Sequence, residues 1–377
     1  MIYLDNAATS FPKPVAVKNA VTDCIGNWCA NPGRSGHKNA MKSAETIYEA
    51  RKKVGEFTGF DPDEVIFTWN CTAALNQGIR GVLRPGDHVV STVFEHNSVL
   101  RTLDALKNRG INTTLVGGTP EGEIDAASFR KAFKWNTRMV ICTLASNVTG
   151  NIMPVEEIIS ICKESKVLFL LDGSQGLGAV PVDFSVVKPD IICCSGHKSL
   201  MGPQGTGFIC VRKDVDIVPM LQGGTGTESK NMSQPLDMPE GFESGTLNVP
   251  GVAGLIEGLK YITNRGVRDI KKLEEDLIGC LQEELKDIEN IEMYGNKNPE
   301  MRTGILAFNI KDKDCEEVAS ELDIKYGIAV RAGYHCAPLS HATIGTGNRG
   351  CVRISVGPFT TYEDIIRAAK AIIKIAE

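Results

Sequence analysis

The sequence predicts an α/β protein, with a large domain on a mostly parallel, doubly wound sheet and a smaller α+β domain at the C-terminal end. Three observations lead there. Short runs rich in Val and Ile, without polar alternation, recur along the first part of the chain, the pattern of strands covered on both faces. Helical patterns separate most of them, as parallel crossovers require. At 377 residues the chain also exceeds the roughly 250–300 residues over which a single core keeps growing, so two domains are expected.

The strands fall at 64–68 (EVIFT), 88–92 (HVVST), 113–117 (TTLVG), 139–143 (MVICT), 167–172 (VLFLLD), 190–195 (DIICCS) and 207–211 (GFICV). Helices are expected between them at 39–58, 72–83, 97–109 and 154–165. After about residue 249 the rhythm changes to a long charged helix at 267–288, strand 305–310, helix 314–325, strands 328–332 and 351–356, and helix 361–376. The expected divisions are a segment 1–15 packing on the small domain, a large domain 16–260 and a small domain 261–377. Gly-rich stretches at 222–228 and 333–350 are expected as loops, where functional groups concentrate.

A net charge of −5 with no Lys/Arg run argues against nucleic acid or an anionic membrane as the main partner. No stretch approaches the ~18 continuous apolar residues of a membrane span. The opening MIYLDNAATSFP has Asp5 and neither the basic nor the apolar region of an export signal, so the cytoplasm is the expected compartment. Twelve cysteines contain no C-x-x-C pair; their spacing supports neither a metal site nor a disulfide framework, and most are expected to pack as small hydrophobes.

In sheets of this kind ligands sit outside the C-terminal ends of the strands, and several reactive residue types stand there. Lys198, in SGHKSL, follows the strand 190–195; a lysine of lowered pKa at that edge forms Schiff bases. Asp172 ends the apolar strand 167–172, where a carboxylate needs a positive partner, and the pyridinium nitrogen of pyridoxal phosphate supplies one. Gln175 lies in the same turn, within reach of the cofactor's phenolic oxygen. NCTAALN at 70–76 starts a helix whose free amides, with Thr72, Ser195 and His197, suit a phosphate. His96 and Asn147 each follow a strand; the first suits stacking on a planar ring, the second a bond to its hydroxyl. Singly, each has a plainer reading as a loop lysine, a turn-forming aspartate or a helix cap. Their convergence on one sheet edge favours the cofactor site.

The order of LDNAAT (4–9), EH (95–96), SNVTG (146–150), LDGSQ (171–175), SGHK (195–198) and ESGTLN (243–248) resembles the class V aminotransferase-fold enzymes that use pyridoxal phosphate. RAGYHCAP (331–338) narrows the resemblance to the cysteine desulfurase and selenocysteine lyase family, on its SufS-like side. The resemblance implies fold type I of the pyridoxal-phosphate transferases and a homodimer with active sites at the subunit interface. It implies Lys198 as the lysine joined to the cofactor's aldehyde, Asp172 at the pyridinium, His96 on the ring, and Asn147 and Gln175 at the phenolic oxygen. It implies Thr72, Ser195 and His197 at the phosphate, with Thr246 reaching across from the other subunit and Arg353 on the substrate carboxylate. Cys71-Thr72-Ala73 replaces the Thr-Thr-Glu of many relatives, so backbone amides are expected to carry more of the phosphate contact near Cys71. Tyr334 stands where relatives often carry His.

The reaction expected from the resemblance is conversion of L-cysteine to L-alanine, with Cys336 as thiolate taking the sulfur as a persulfide for a possible acceptor protein. His335 and Arg331 are expected to favour ionisation of Cys336. Alternatives are a selenocysteine lyase acting on L-selenocysteine, which need not use Cys336, and another aminotransferase or lyase of the same fold. A non-catalytic scaffold is the reading from outside the enzymes.

Overall fold

A computed structural model describes residues 1–32 and 36–377. Seven strands form one sheet in the order Val65–Thr68, Gly207–Val211, Ile191–Ser195, Leu168–Asp172, Thr137–Thr143, His88–Thr92, Asn112–Val116. Gly207–Val211 runs antiparallel to both neighbours, and every other pairing in the sheet is parallel. The mostly parallel α/β sheet that the apolar runs predict is therefore present. Central strands are buried along their whole length, because helices cover both faces and each Val, Ile or Cys meets a packed layer whichever way it points.

Four further strands form an antiparallel sheet in the order Arg331–Gly333, Cys351–Ser355, Ile305–Ile310, Ile291–Tyr294. The helices Val267–Leu285, Cys315–Tyr326 and Tyr362–Ala376 contribute Leu277, Leu281, Val318, Leu322, Ile365 and Ile372 to its own hydrophobic core. Ile2–Tyr3 pairs in parallel with Ile328–Ala329, and Leu4 is buried in that same core.

Several expectations need correction. The division at 260 falls inside the helix Val249–Arg265, and the chain breaks at Gly266, whose φ of 86° ends one helix and starts Val267–Leu285. Segment 328–332 is two short strands, Ile328–Ala329 and Arg331–Gly333, in different sheets. The stretch expected as a loop at 333–350 contains a helix, Pro338–Thr343, begun by a proline at its first turn. Strand Ile291–Tyr294 and helix Val15–Asp23 are additions. Among the described residues no helix is long and apolar enough to cross a membrane.

Candidate active site

The sheet edge gathers the predicted groups because consecutive parallel strands deliver their C-terminal ends to one side. Asp172 ends its strand beside Thr143 on one neighbour and Cys193 on the other, and is 3% exposed. Its Oδ1 accepts from the Ser174 amide at 2.9 Å and from the Cys71 thiol at 3.6 Å, the latter a long contact even for sulfur. Among the described residues Asp172 has no ion pair, so a buried carboxylate waits for a cation. Cys71, expected near the phosphate, instead faces this carboxylate: burial, reinforced by Asp172, pushes its thiol well above the usual range. It is a neutral donor to Asp172.

Lys198 is half-buried in the turn after Ile191–Ser195. Its amine makes no hydrogen bond or ion pair among the described residues. Burial lowers its pKa, while Asp172 works in the opposite direction. Ser10 Oγ donates to the Lys198 carbonyl at 2.9 Å and Lys13 Nζ to the His197 carbonyl at 2.7 Å, which fixes the turn from the N-terminal segment.

His96 caps the helix Asn97–Lys107, its Nδ1 accepting from the Ser98 amide at 3.0 Å. The Ser98 hydroxyl lies 2.9 Å from that nitrogen and 2.8 Å from Thr72 Oγ1, so the starts of two helices orient one imidazole. Burial, then the Lys198 charge, lowers His96 to about 4. It is a neutral ring in electrostatic reach of Lys198 and Asp172, suited to lie against an aromatic plane. His197, held by Thr9 at 3.1 Å, is also lowered to about 4, chiefly by burial.

Pyridoxal phosphate fits these residues. Among the described residues the Ser195 hydroxyl is buried without a partner, and the amides of Cys71 and Thr72 open the helix Cys71–Val82 with no acceptor within it. An unpaired carboxylate at Asp172 and an unpaired amine at Lys198 complete the set. Gln175 donates to the Ala7 carbonyl at 3.0 Å, which ties it to the LDNAAT segment. Thr246 is exposed, in a surface groove with Trp69 and Leu221, and this chain does not bring it to Lys198.

Arg353 lies inside the site, 1% exposed. It donates to the Asn147 carbonyl at 2.8 Å and to Asp5 Oδ1 at 3.0 Å, leaving Nε buried without a partner among the described residues. Asn147 spends its own amide on the His335 carbonyl, at 2.6 Å. Arg331 stands opposite Arg353 in register on the adjoining strand. Cys336 is exposed on a turn in which both His335 (φ 50°) and Cys336 (φ 57°) occupy the left-handed region, and its carbonyl accepts from the Asn97 amide at 2.7 Å. The expected help from His335 is overturned: its ring is buried, and burial together with Arg353 lowers it to about 2, so it is no cation beside the thiol.

Three contributors are missing from the sequence expectations. Asp5 holds Arg353, Asn97 holds the Cys336 turn, and Glu95 is a fully buried carboxyl with one oxygen unpartnered, raised by burial to about 8. An acid directly after a strand and beside His96 was the available signal for Glu95.

The fold is that of the fold type I pyridoxal-phosphate transferases. The sequence profile of Aminotransferase class-V matches residues 2–367. A probable cysteine desulfurase of Methanothermobacter thermautotrophicus is 35% identical, covering 100% of this chain and 94% of that protein. A cysteine desulfurase of Pectobacterium atrosepticum is 30% identical over 100% of this chain and 93% of its own. The apo structure of a cysteine desulfurase from Thermococcus onnurineus superposes with a TM-score of 0.94 at 30% identity, covering 100% and 94% of the two chains. The chain belongs to the class-V aminotransferase family, in its cysteine desulfurase branch.

Proposed function

We propose that the protein is a pyridoxal-phosphate-dependent cysteine desulfurase that converts L-cysteine to L-alanine and takes the sulfur on Cys336. One observation carries this reading. An amine without a charge partner, Lys198, lies in electrostatic reach of an unpaired buried carboxylate, Asp172, on the edge where the exposed Cys336 turn is docked through Asn97. The bond accounting is closed: the C–S bond of cysteine breaks, an S–S bond forms at Cys336, and the thiol's hydrogen is returned to the carbon product. No outside oxidant or reductant is required.

When bound, pyridoxal phosphate acts as an electron sink for the substrate's α-carbon. Asp172 would hold a proton on its ring nitrogen, with the Cys71 thiol as a neutral neighbour that leaves the carboxylate's charge intact. Ser195, Thr72, His197 and the helix amides would hold its phosphate, His96 its ring face, and Gln175 and Asn147 its phenolic oxygen. Lys198 Nζ takes the proton from the substrate α-carbon; its lowered pKa makes the neutral amine accessible. Arg353 binds the substrate carboxylate through its planar fork. Cys336 as thiolate attacks the substrate sulfur, and its exposure leaves the product open to an acceptor protein.

The same reading assigns a cytoplasmic homodimer in which the exposed Thr246 reaches the partner's phosphate site. The test is purified protein with L-cysteine, measuring alanine and sulfide together. Equal yields that vanish in Lys198→Ala, with loss of the yellow cofactor absorbance, are expected. Keto-acid formation, or turnover surviving Lys198→Ala, would overturn the assignment.

A further inference from the structure

Beneath the Cys336 turn lies a side-chain cluster that the desulfuration chemistry does not use. His335 points inward from the turn, His341 sits on the helix Pro338–Thr343, and Cys351 opens the strand Cys351–Ser355; all three are buried. One ligand-capable atom from each lies within 4.8 Å of the other two. His335 Nδ1 and His341 Nε2 face each other at 3.4 Å, with the ring planes 13° apart.

The outer contacts orient both rings. His335 Nε2 faces the Arg331 carbonyl at 3.5 Å; a carbonyl only accepts, so the proton sits on Nε2 and the Nδ1 lone pair points at His341. Thr346 Oγ1 lies 2.7 Å from His341 Nδ1 and 3.5 Å from the His341 carbonyl oxygen, and holds the ring with Nε2 toward His335.

A metal ion satisfies the geometry. Zinc bound at about 2.0–2.1 Å in tetrahedral array sets two imidazole nitrogens about 3.3–3.4 Å apart, in agreement with the 3.4 Å observed. A carbonyl and a hydroxyl on the far ring nitrogens are the outer partners by which metal-binding histidines are oriented. We propose that His335, His341 and Cys351 bind one borderline-soft divalent cation of the zinc type, with water in the fourth position. The site goes beyond the desulfurase assignment and does not depend on it. Binding deprotonates Cys351, which burial has raised to about 12, so one proton is released per metal and affinity falls with pH. Arg331 and Arg353 lie in electrostatic reach of His335 and their charge disfavours the cation, while Arg353 and Arg349 favour the Cys351 thiolate. The bound ion would tie the Cys336 turn to the edge of the four-stranded sheet. The spacing His335-x5-His341-x9-Cys351 matches none of the usual zinc patterns, which is why the cysteine count alone did not reveal it.

The test uses the purified protein with its cofactor retained, stripped with a chelator, then given zinc chloride or cobalt chloride in buffer free of cysteine and desalted. The expected result is one metal per chain, kept in Cys336→Ser and weakened at least tenfold in both His341→Gln and Cys351→Ser. The cobalt form should show a sulfur-to-metal charge-transfer band that Cys351→Ser lacks. Cys351→Ser changes one buried atom, and its circular dichroism serves as the check on folding. Absence of retained metal overturns the proposal. So does undiminished binding in Cys351→Ser and His341→Gln, which would place the metal on other cysteines.

Discussion

Asp172 ends a strand paired on both sides, its carboxylate fixed by a backbone amide; Cys336 hangs from a turn of two left-handed residues with its side chain in solvent. The first region holds groups whose work requires fixed geometry around one plane. The second presents a nucleophile that must reach a substrate on one side and an acceptor on the other. Rigid strand ends suit the first and a surface turn suits the second. The two are joined at few points: Asn147 to the His335 carbonyl, and Asn97 to the Cys336 carbonyl.

The largest effect expected from breaking that division of labour is in Cys336→Ala. Sulfide release from L-cysteine should fall at least a hundredfold, roughly 3 kcal/mol of transition-state stabilisation, while cofactor absorbance and melting temperature stay unchanged because the thiol is exposed. Retained turnover of L-selenocysteine would sharpen the contrast, since selenium leaves without thiolate attack. A simultaneous loss of cofactor would show that the turn belongs to the binding cleft after all.

The cleft carries a second, pH-dependent signature. Glu95 is raised from its ordinary 4.5 to about 8 by burial, so the folded protein keeps a proton that the unfolded chain has released. Between pH 4.5 and 8 the unfolded state binds fewer protons, and stability therefore falls as pH rises through that window. Glu95→Gln should remove this slope, with a gain on the order of 3 kcal/mol at pH 8 over wild type relative to their difference at pH 4.5. Urea melts of both proteins across the window are the measurement; parallel curves would mean that Glu95 is ionised in the fold.

Arg353 tests whether the substrate carboxylate is held by the cleft or by the turn. Its fork already contacts Asp5 and the Asn147 carbonyl, so Lys in its place keeps the charge and loses the planar geometry. Arg353→Lys should lower kcat/KM for L-cysteine about 10–100-fold, or about 1.4–2.8 kcal/mol, mainly through KM. An equal loss in Arg331→Lys with Arg353→Lys silent would move the carboxylate to the neighbouring strand.

The same contrast decides what was legible in the sequence. Six of the seven strands of the large sheet were visible because burial on both faces removes polar alternation and leaves runs such as LFLLD and IICCS, while the edge strand Asn112–Val116 is largely exposed and was legible only from its short run of Thr and Val. Lys198, Asp172 and His96 were legible because each directly follows or ends such a run. Strand Ile291–Tyr294 escaped because all four residues are half-buried and too few to show a period. Helix Pro338–Thr343 is only six residues long and sits among glycines. The burial of His335 was invisible for a different reason: it depends on the helix and strand that fold over the turn, so the residue beside an exposed thiol proves to be an interior one. Thr246, placed by the resemblance in a partner's site, depends on a second chain and no local pattern carries it.

The smallest expected effect is one of sign. A left-handed φ costs a residue with a β-carbon about 1–2 kcal/mol, of which glycine's greater freedom when unfolded returns about 0.5–1. Cys336, at φ 57°, should therefore give a Cys336→Gly protein about 0.5–1 kcal/mol more stable than Cys336→Ala, read from denaturant midpoints at equal slope. The same exchange in the cleft should go the other way: Ala74 is fully buried in the helix Cys71–Val82, and Ala74→Gly should cost about 1 kcal/mol. If Cys336→Gly and Cys336→Ala melt together, the turn relaxes out of its left-handed conformation in solution. The contacts from Asn97 and Asn147 would then be too weak to hold it against the sheet edge.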